Sequence, residues 1–115
     1  MNLAIIGSRS FNNYELLEEE VCYHTQRTKI NKIISGGAQG ADKLAERYAK
    51  EYLIPIEIIK PEWNKYGKSA GFKRNIHIIK KADMVIAFWN GKSKGTEHSI
   101  KLAIKYKIPV VIIPF

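Results

Sequence analysis

Residues 32–42 read Lys-Ile-Ile-Ser-Gly-Gly-Ala-Gln-Gly-Ala-Asp, a short β-branched run that passes through a glycine-rich turn directly into a helical segment. The pattern predicts a strand at 32–35 and a helix at 38–52. Small or apolar residues recur at helical spacing along that helix, at Ala41, Leu44, Ala45, Tyr48 and Ala49. A strand followed at once by an amphipathic helix is typical of parallel α/β sheets.

The same alternation continues on both sides of this unit. Further strands are predicted at 2–6, 54–59, 84–89 and 109–113, and further helices start at Tyr14 and cover 72–81 and 97–106. The order β-α-β-α-β-α-β-α-β favours an α/β fold: a doubly wound, mainly parallel five-stranded sheet with helices on both faces. The runs 85–88 and 110–113 are apolar throughout, as strands covered on both faces require.

Three of the predicted strands end in small, polar, glycine-rich turns, at residues 7–11, 35–42 and 91–96. The carboxyl ends of parallel strands share one sheet edge, which is where ligands bind. Each turn alone is often a structural connection, but three at one edge favour a phosphate-bearing ligand held by amides, hydroxyls and an arginine fork. The predicted ligand-binding residues in these turns are Gly7, Ser8, Arg9, Ser35, Gly36, Gly37, Gly40, Asp42, Ser93, Gly95 and Thr96.

A fourth segment, residues 67–75, combines cations with the preceding aromatic residues Trp63 and Tyr66. Residues 61–71 are predicted as a loop. Rings stack on bases while cations meet phosphate, so Trp63 and Tyr66 are the predicted base-stacking residues, and Arg74 and Asn75 join the phosphate-binding set. The alternative is that Trp63 only covers apolar surface. Asp42 is expected either to cap its helix or to accept a ribose hydroxyl.

Several other kinds of site are excluded by spacing. The segments 67–69 and 91–93 end like a Walker A loop, but Glu62 and Ile86 occupy the positions where that loop needs its first glycine. The turn at 36–40 departs from GxGxxG, so no dinucleotide fingerprint is present. The three histidines lack the i, i+4 pairing of a helical metal site, and no metal or cofactor is predicted. Cys22 has no partner for a disulfide and is expected to be a small core or boundary residue.

Length and charge limit the remaining possibilities. The chain of 115 residues fits one domain, and the absence of a membrane-length apolar run, a signal peptide or a cysteine pair predicts a cytoplasmic protein. Residues 1–58 carry 7 Lys/Arg and 8 Asp/Glu, a net −1, whereas residues 59–115 carry 12 and 3, a net +9. The basic half points to an anionic partner, namely nucleic acid, a nucleotide or a phosphorylated metabolite, or else to a solvated lysine-rich surface.

These segments together resemble the YspA/YpsA-related branch of the SLOG superfamily. The matching runs are Gly-Ser-Arg-Ser-Phe at 7–11, Ser-Gly-Gly-Ala-x-Gly-Ala-Asp at 35–42, Ala-Gly-x-x-Arg-Asn at 70–75 and Ser-x-Gly-Thr at 93–96. The resemblance implies a single Rossmann-like nucleotide-binding domain over residues 1–115. Its ligand would be a nucleotide or a nucleotide-derived signal such as an ADP-ribose-like or cyclic nucleotide, which the protein would sense or sequester. Relatives often form dimers or larger assemblies, so a homo-oligomer is also implied.

The superfamily also contains LOG phosphoribohydrolases, which cleave the N-glycosidic bond of nucleoside monophosphates. Arg74 matches their arginine, and Gly95-Thr96 match part of their Gly-Gly-x-Gly-Thr-x-x-Glu motif, but Ser99 occupies the position of the glutamate. Glu97 is two residues early, about 200° away around a helix. Arg74 and Glu97 are therefore the candidate catalytic residues if the protein is such a hydrolase, while binding without turnover is the favoured interpretation. A third possibility is single-stranded nucleic-acid binding, as in the related DNA-processing protein DprA.

Overall fold

The computed structural model describes residues 1–115. Five strands alternate with the helices. The strands are β1 (Asn2–Gly7), β2 (Lys32–Ser35), β3 (Ile56–Ile58), β4 (Met84–Trp89) and β5 (Val110–Pro114). The helices are α1 (Tyr14–His24), α2 (Ala41–Glu51), α3 (Trp63–Tyr66), α4 (Ala70–Lys81) and α5 (Lys94–Lys105), with a 3₁₀ turn at Gly67–Ser69 between α3 and α4.

All five strands are parallel, in the order β3-β2-β1-β4-β5. The order reverses direction at β1, so the first crossovers run one way and the later ones run the other. Such a reversal is the topological switch point at which open α/β sheets bind ligands. The predicted doubly wound parallel sheet of five strands is confirmed.

Alternate residues of each strand pack on opposite faces of the sheet. Leu3 and Ile5 of β1 belong to a core shared with α1 and α2, where Leu17 and Ala45 are fully buried. Ala4 belongs to the other core, which is shared with α4 and α5. Each face therefore buries its own set of helices, and the predicted placement of helices on both faces is also confirmed.

Some boundaries differ from those predicted. Helix α2 begins at Ala41 rather than 38, because Gly37 and Gly40 take positive φ values of 74° and 80° that a right-handed helix does not admit. The strand predicted at 54–59 shortens to β3, since Leu53 has a positive φ and Pro55 lacks an N–H. Helix α5 starts at Lys94, three residues early, because the Ser93 side chain caps it by accepting from the Thr96 N–H.

Two further predictions are corrected. Residues 61–71 are not a loop, since they contain α3, the 3₁₀ turn and the first residues of α4. A four-residue helix shows no hydrophobic period, so the sequence carried little signal for it. Cys22 is exposed rather than in the core, with its sulfur 3.5 Å from the Tyr48 hydroxyl. No helix exceeds 12 residues, and none has the length and apolar composition needed to cross a bilayer.

Candidate functional site

A cavity of about 450 Å³ opens at the carboxyl ends of β1 and β4, where the loops after these strands meet the turn before α2. We call it the polar cavity, because only three of its 15 lining residues are hydrophobic. The cavity lies at the carboxyl edge of the sheet, where the sequence placed the ligand, and beside the switch point that the strand order reveals. Its lining residues are Ile6, Gly7, Ser8, Arg9, Ser10, Ala38, Asp42, Arg74, Asn75, Ile78, Asn90, Ser93, Gly95, Thr96 and Ser99.

Arg74 reaches the polar cavity from α4 and is held by two hydrogen bonds. Its Nη1 donates to the Gly36 carbonyl oxygen at 2.8 Å, and its Nε donates to Asn75 Oδ1 at 2.9 Å. Nη2 has no hydrogen-bond partner in the protein and is accessible to solvent. Burial lowers the pKa of the Arg74 guanidinium, an effect that Asp42 opposes and that the nearby positive charge of Arg9 reinforces. The guanidinium is thus oriented by the protein, with one nitrogen left for a ligand.

Asp42 is the one carboxylate that lines the polar cavity, and only 7% of the residue is exposed. Its Oδ2 accepts from the Ala38 N–H at 3.1 Å, which fixes the turn between β2 and α2. Burial raises the pKa of Asp42 to about 6, against the hydrogen bond from Ala38 and the positive charge of Arg74, which favour the ionised form. No Lys, Arg or His nitrogen lies within the 4.0 Å of an ion pair with it.

The start of α5 forms the opposite wall of the polar cavity. The Asn90 side chain accepts from the N–H groups of Lys92 and Ser93, both at 2.9 Å, and the Trp89 indole donates to the Ser93 carbonyl oxygen at 3.0 Å. These bonds fix the loop after β4, so the helix begins at a defined place. The first amides of α5 have no intrahelical partner, and the helix dipole adds partial positive charge there. This end of α5 is therefore suited to an anion.

The loop after β1 completes the polar cavity. Ser8 is buried, its N–H donates to the Phe88 carbonyl oxygen at 2.9 Å, and its Oγ accepts from the Asn90 N–H at 3.3 Å. Gly40 makes the close approach of the turn before α2 possible, because a Cβ there would lie 2.4 Å from the Ser8 carbonyl oxygen and 2.5 Å from that of Arg9. Gly40 shapes the site without lining it.

A second cavity of about 570 Å³ adjoins the first and shares Arg9, Ala38, Arg74, Asn75 and Gly95 with it. We call it the aromatic cavity, because Trp63 and Phe72, 54% and 51% exposed, line it. Four cationic side chains and no acidic one also line it. Its complete lining is Arg9, Gly36, Gly37, Ala38, Lys60, Pro61, Trp63, Lys68, Gly71, Phe72, Arg74, Asn75 and Gly95.

Most of the residues predicted for the site line one of these cavities. Four do not. Ser35 is fully buried, with its hydroxyl donating to the Asp42 carbonyl oxygen at 3.3 Å. Gly40 lets the turn before α2 approach the loop after β1 but does not line a cavity. The Lys73 Nζ lies over the Tyr66 ring, 4.6 Å from its centroid. Glu97 pairs with Lys101 at 3.2 Å along the surface of α5, away from both cavities. The Ser99 hydroxyl lines the polar cavity in place of a carboxylate.

The structure also adds residues that the sequence reasoning missed. Asn90 directly follows β4 and Lys60 follows β3, so the carboxyl-edge rule could have found both. Phe72 lies on α4 two residues before Arg74, and its ring packs 4.5 Å from that of His98. His98 Nδ1 is 3.3 Å from the Asn75 amide nitrogen, and burial lowers the pKa of the imidazole. No spacing signal in the sequence connected these two rings.

Comparisons with known proteins agree with this architecture. Residues 1–66 match the model of the YspA, cpYpsA-related SLOG family. The chain is 32% identical over 114 residues to the gene 61 protein of Mycobacterium phage D29, an alignment that covers 93% of this chain and 91% of that protein.

Among solved structures, the chain is similar to DNA processing protein A from Helicobacter pylori, whose structure was described for its single-stranded DNA binding mode. The TM-score is 0.75 at 25% sequence identity. All of this chain is covered, and it spans 66% of that structure's length. The family model covers more than half of the chain, and the phage relative is similar over nearly all of it. The chain therefore belongs to the YspA, cpYpsA-related SLOG family.

Proposed function

We propose that residues 1–115 act as one nucleotide-binding domain, with phosphate in the polar cavity and the base in the aromatic cavity. The observation that carries this proposal is the state of Arg74, whose Nε and Nη1 are held by the protein while Nη2 has no partner. A guanidinium fixed in this way has little conformational entropy left to lose when it binds phosphate. Arg74 lines both cavities, so one phosphate on it would connect the two parts of a ligand.

The charges around Arg74 support an anionic group at this point. Arg9, which is exposed, lies close enough to lower the pKa of the half-buried Arg74 guanidinium, so two like charges face the same cavities. An anion between them relieves that repulsion. The unpaired amides at the start of α5 add donors from the opposite wall.

The aromatic cavity supports a base as the second part of the ligand. Trp63 and Phe72 expose about half of their surface beside Lys60 and Lys68. Exposed rings next to cations suit a base attached to phosphate, because the base stacks while the cations meet the charge. Tyr66, predicted for the same role, is covered by Lys73 and is not part of this proposal. The protein would sense or sequester such a nucleotide, and no turnover is required.

Calorimetric titration of the full chain tests the proposal. The probes are the four ribonucleoside 5′-monophosphates, ADP-ribose and a 12-mer of deoxythymidine. Arg74→Ala removes a charge-assisted hydrogen bond of about 1.5–3 kcal/mol, so we expect binding to weaken at least tenfold. Arg27→Ala, which removes the same charge from an exposed position on another surface, is the matched control and should bind as the wild type does. Absence of binding by every probe, or equal affinity of the Arg74→Ala variant, would refute the proposal.

A second candidate function is binding of single-stranded DNA. The structural similarity to DNA processing protein A, whose structure was described for that binding mode, favours it, as does the net +9 of residues 59–115. The two cavities adjoin, so a strand could pass from one to the other. Tighter binding of the 12-mer than of any mononucleotide would favour this candidate over the first.

A further inference from the structure

Asp42 places a negative charge in a cavity that is otherwise suited to anions. It is more than nine-tenths buried, and it is the one acidic residue that lines either cavity. Its two oxygens have different surroundings. Oδ2 is bound by the Ala38 N–H, and the nearby Gly36 N–H also favours the ionised carboxylate. Oδ1 makes no hydrogen bond of good geometry in the protein and is reached by solvent through the cavity.

A structural role explains only one of the two carboxylate oxygens of Asp42, namely Oδ2. One acceptor oxygen is enough for the Ala38 N–H, and asparagine or serine supplies one at no charge. A buried carboxylate without an ion pair instead costs desolvation, which appears in this chain as a pKa raised to about 6. The second oxygen is therefore unexplained by the fold and is available to a group that enters the polar cavity.

The chemistry of that group follows from the carboxylate. An ionised carboxylate accepts hydrogen bonds and repels phosphate. The partner of Oδ1 is therefore a hydrogen-bond donor on the same ligand molecule, but outside its phosphate group. In a nucleotide, the donors nearest the phosphate are the ribose 2′- and 3′-hydroxyls. Arg74 and Asp42 lie in one cavity, close enough that each shifts the pKa of the other. A phosphate on Arg74 would therefore place the sugar of the same nucleotide in the cavity that Asp42 lines.

We infer that Asp42 Oδ1 accepts a hydrogen bond from a free sugar hydroxyl of the nucleotide, which makes the polar cavity selective for a free nucleotide that carries this hydroxyl over a nucleotide inside a DNA strand. The inference rests on the proposed nucleotide-binding function and names its ligand class. An internal nucleotide of a DNA strand has no 2′-hydroxyl, and its 3′-oxygen is esterified. It therefore offers no donor to Asp42 and leaves a buried acceptor unpaired. Inorganic phosphate has no sugar hydroxyl for Asp42 to bind, so it is repelled by the carboxylate without any compensating hydrogen bond.

Matched nucleotides test this inference on the wild-type chain. Each of the four ribonucleoside 5′-monophosphates is titrated at pH 7.5 against its 2′-deoxy and 3′-deoxy forms, with inorganic phosphate as a further probe. Loss of the hydroxyl that contacts Asp42 is expected to weaken binding by tenfold or more. Equal binding of the ribose form and both deoxy forms would overturn the inference while leaving the proposed function intact. If no nucleotide of any form binds, the proposed function itself fails, and the inference fails with it.

The Asp42→Asn variant tests whether the preference for the nucleotide with the free hydroxyl depends on Asp42. The variant retains an acceptor for the Ala38 N–H, so its fold is checked by thermal unfolding before titration. The preference for the nucleotide that keeps this hydroxyl is expected to shrink at least fivefold, and inorganic phosphate is expected to bind more tightly because the repulsion is gone. Glu19→Gln, the same change of charge at an exposed site on α1, is the control. A variant with an unchanged preference and an unchanged phosphate affinity would contradict the assignment.

Discussion

Asp42 and Arg74 share one cavity, and each is partly deprived of water by it. Burial lowers the pKa of the guanidinium and raises that of the carboxyl. The two groups form no ion pair within 4.0 Å, so neither fully compensates the other. Sites that bind ligands often keep such charges at a cost in stability. The unliganded protein should therefore show this cost in its dependence on pH.

The contribution of Asp42 to the free energy of unfolding is expected to fall as the pH rises from about 4 to 7. The pKa of Asp42 is about 6 in the folded chain and near 3.8 when exposed, so between these values the folded state holds a proton that the unfolded state has released. The carboxyl thus contributes its stability below this window and loses it above, a difference on the order of 2–3 kcal/mol.

Asp42→Asn should remove that dependence. We expect the variant to unfold roughly 5–10 °C higher than the wild type at pH 7.5, and at nearly the same temperature at pH 4. Differential scanning calorimetry at the two pH values measures this directly. A lower unfolding temperature at both pH values would contradict the account, because it would show that the carboxylate stabilises the turn before α2.

At the residue scale, the sequence predicted the site where a residue directly follows a strand. Ser8 and Arg9 directly follow β1 and line the polar cavity, as the turn after β1 indicated. Ser35 and Glu97 were also chosen by position in a motif, yet they face the interior and the outer surface of α5. Sequence position places a residue at the sheet edge, but the direction of its side chain depends on packing that no spacing rule describes.

The turn between β2 and α2 is the element that brings the loops of the site together. Gly40 adopts φ 80° and ψ −128°, a conformation that costs little only for glycine. The two carbonyl oxygens of Ser8 and Arg9 lie against it. The position of Arg9 thus depends on a residue that does not line either cavity.

Gly40→Ala is expected to destabilise the fold by roughly 2–4 kcal/mol, because the new methyl group meets two backbone oxygens and the required φ is unfavourable. Urea unfolding followed by circular dichroism provides the measurement. Gly95→Ala is the matched control, since a Cβ at Gly95 has no atom within 4 Å and the change favours a helix. Equal midpoints for Gly40→Ala and the wild type would show that the turn relaxes freely.

The sequence predicted the long elements well and the short ones poorly. Strands β1, β2 and β4 agree with the predicted ranges to within one residue, because each is a β-branched or apolar run bounded by a turn. Helix α3 was missed because four residues span about one turn, too few to show a hydrophobic period. This helix carries Trp63, whose stacking role was predicted from its cationic surroundings, whereas Lys60 and Phe72 of the same cavity were missed.

Across the whole molecule, the cations of residues 59–115 are divided between the cavities and the rest of the surface. Three of its twelve cations, Lys60, Lys68 and Arg74, line the cavities. Others pair on the surface, as Lys81 does with Glu57 and Lys101 with Glu97. Lys73, Lys92 and Lys94 belong to the segments 67–75 and 91–96 that were predicted at the ligand edge, yet they line neither cavity. Under the proposed function, the net charge would attract an anion from a distance, and the cavities would determine which anion binds.

Salt dependence distinguishes a compact ligand from a strand. A mononucleotide contacts a few cations in the cavities, so the logarithm of its association constant should fall with the logarithm of salt concentration with a slope no steeper than about −2. A DNA strand with four or more phosphates bound to surface lysines would give a slope of about −3 or steeper, because each bound phosphate contributes roughly −0.7 to the slope. Titrations between 50 and 300 mM salt measure both slopes. A steep slope together with tighter binding of the 12-mer would favour the DNA-binding candidate.

The central claim is that a ribonucleotide binds at the carboxyl edge of the sheet, with its phosphate on Arg74. A crystal structure of the full chain with the tightest-binding ribonucleoside monophosphate tests it most directly. We predict phosphate oxygens within hydrogen-bond distance of Arg74 Nη2 and the Gly95 amide, and a ribose hydroxyl on Asp42 Oδ1. A nucleotide bound outside both cavities, or with its phosphate away from Arg74, would contradict the account.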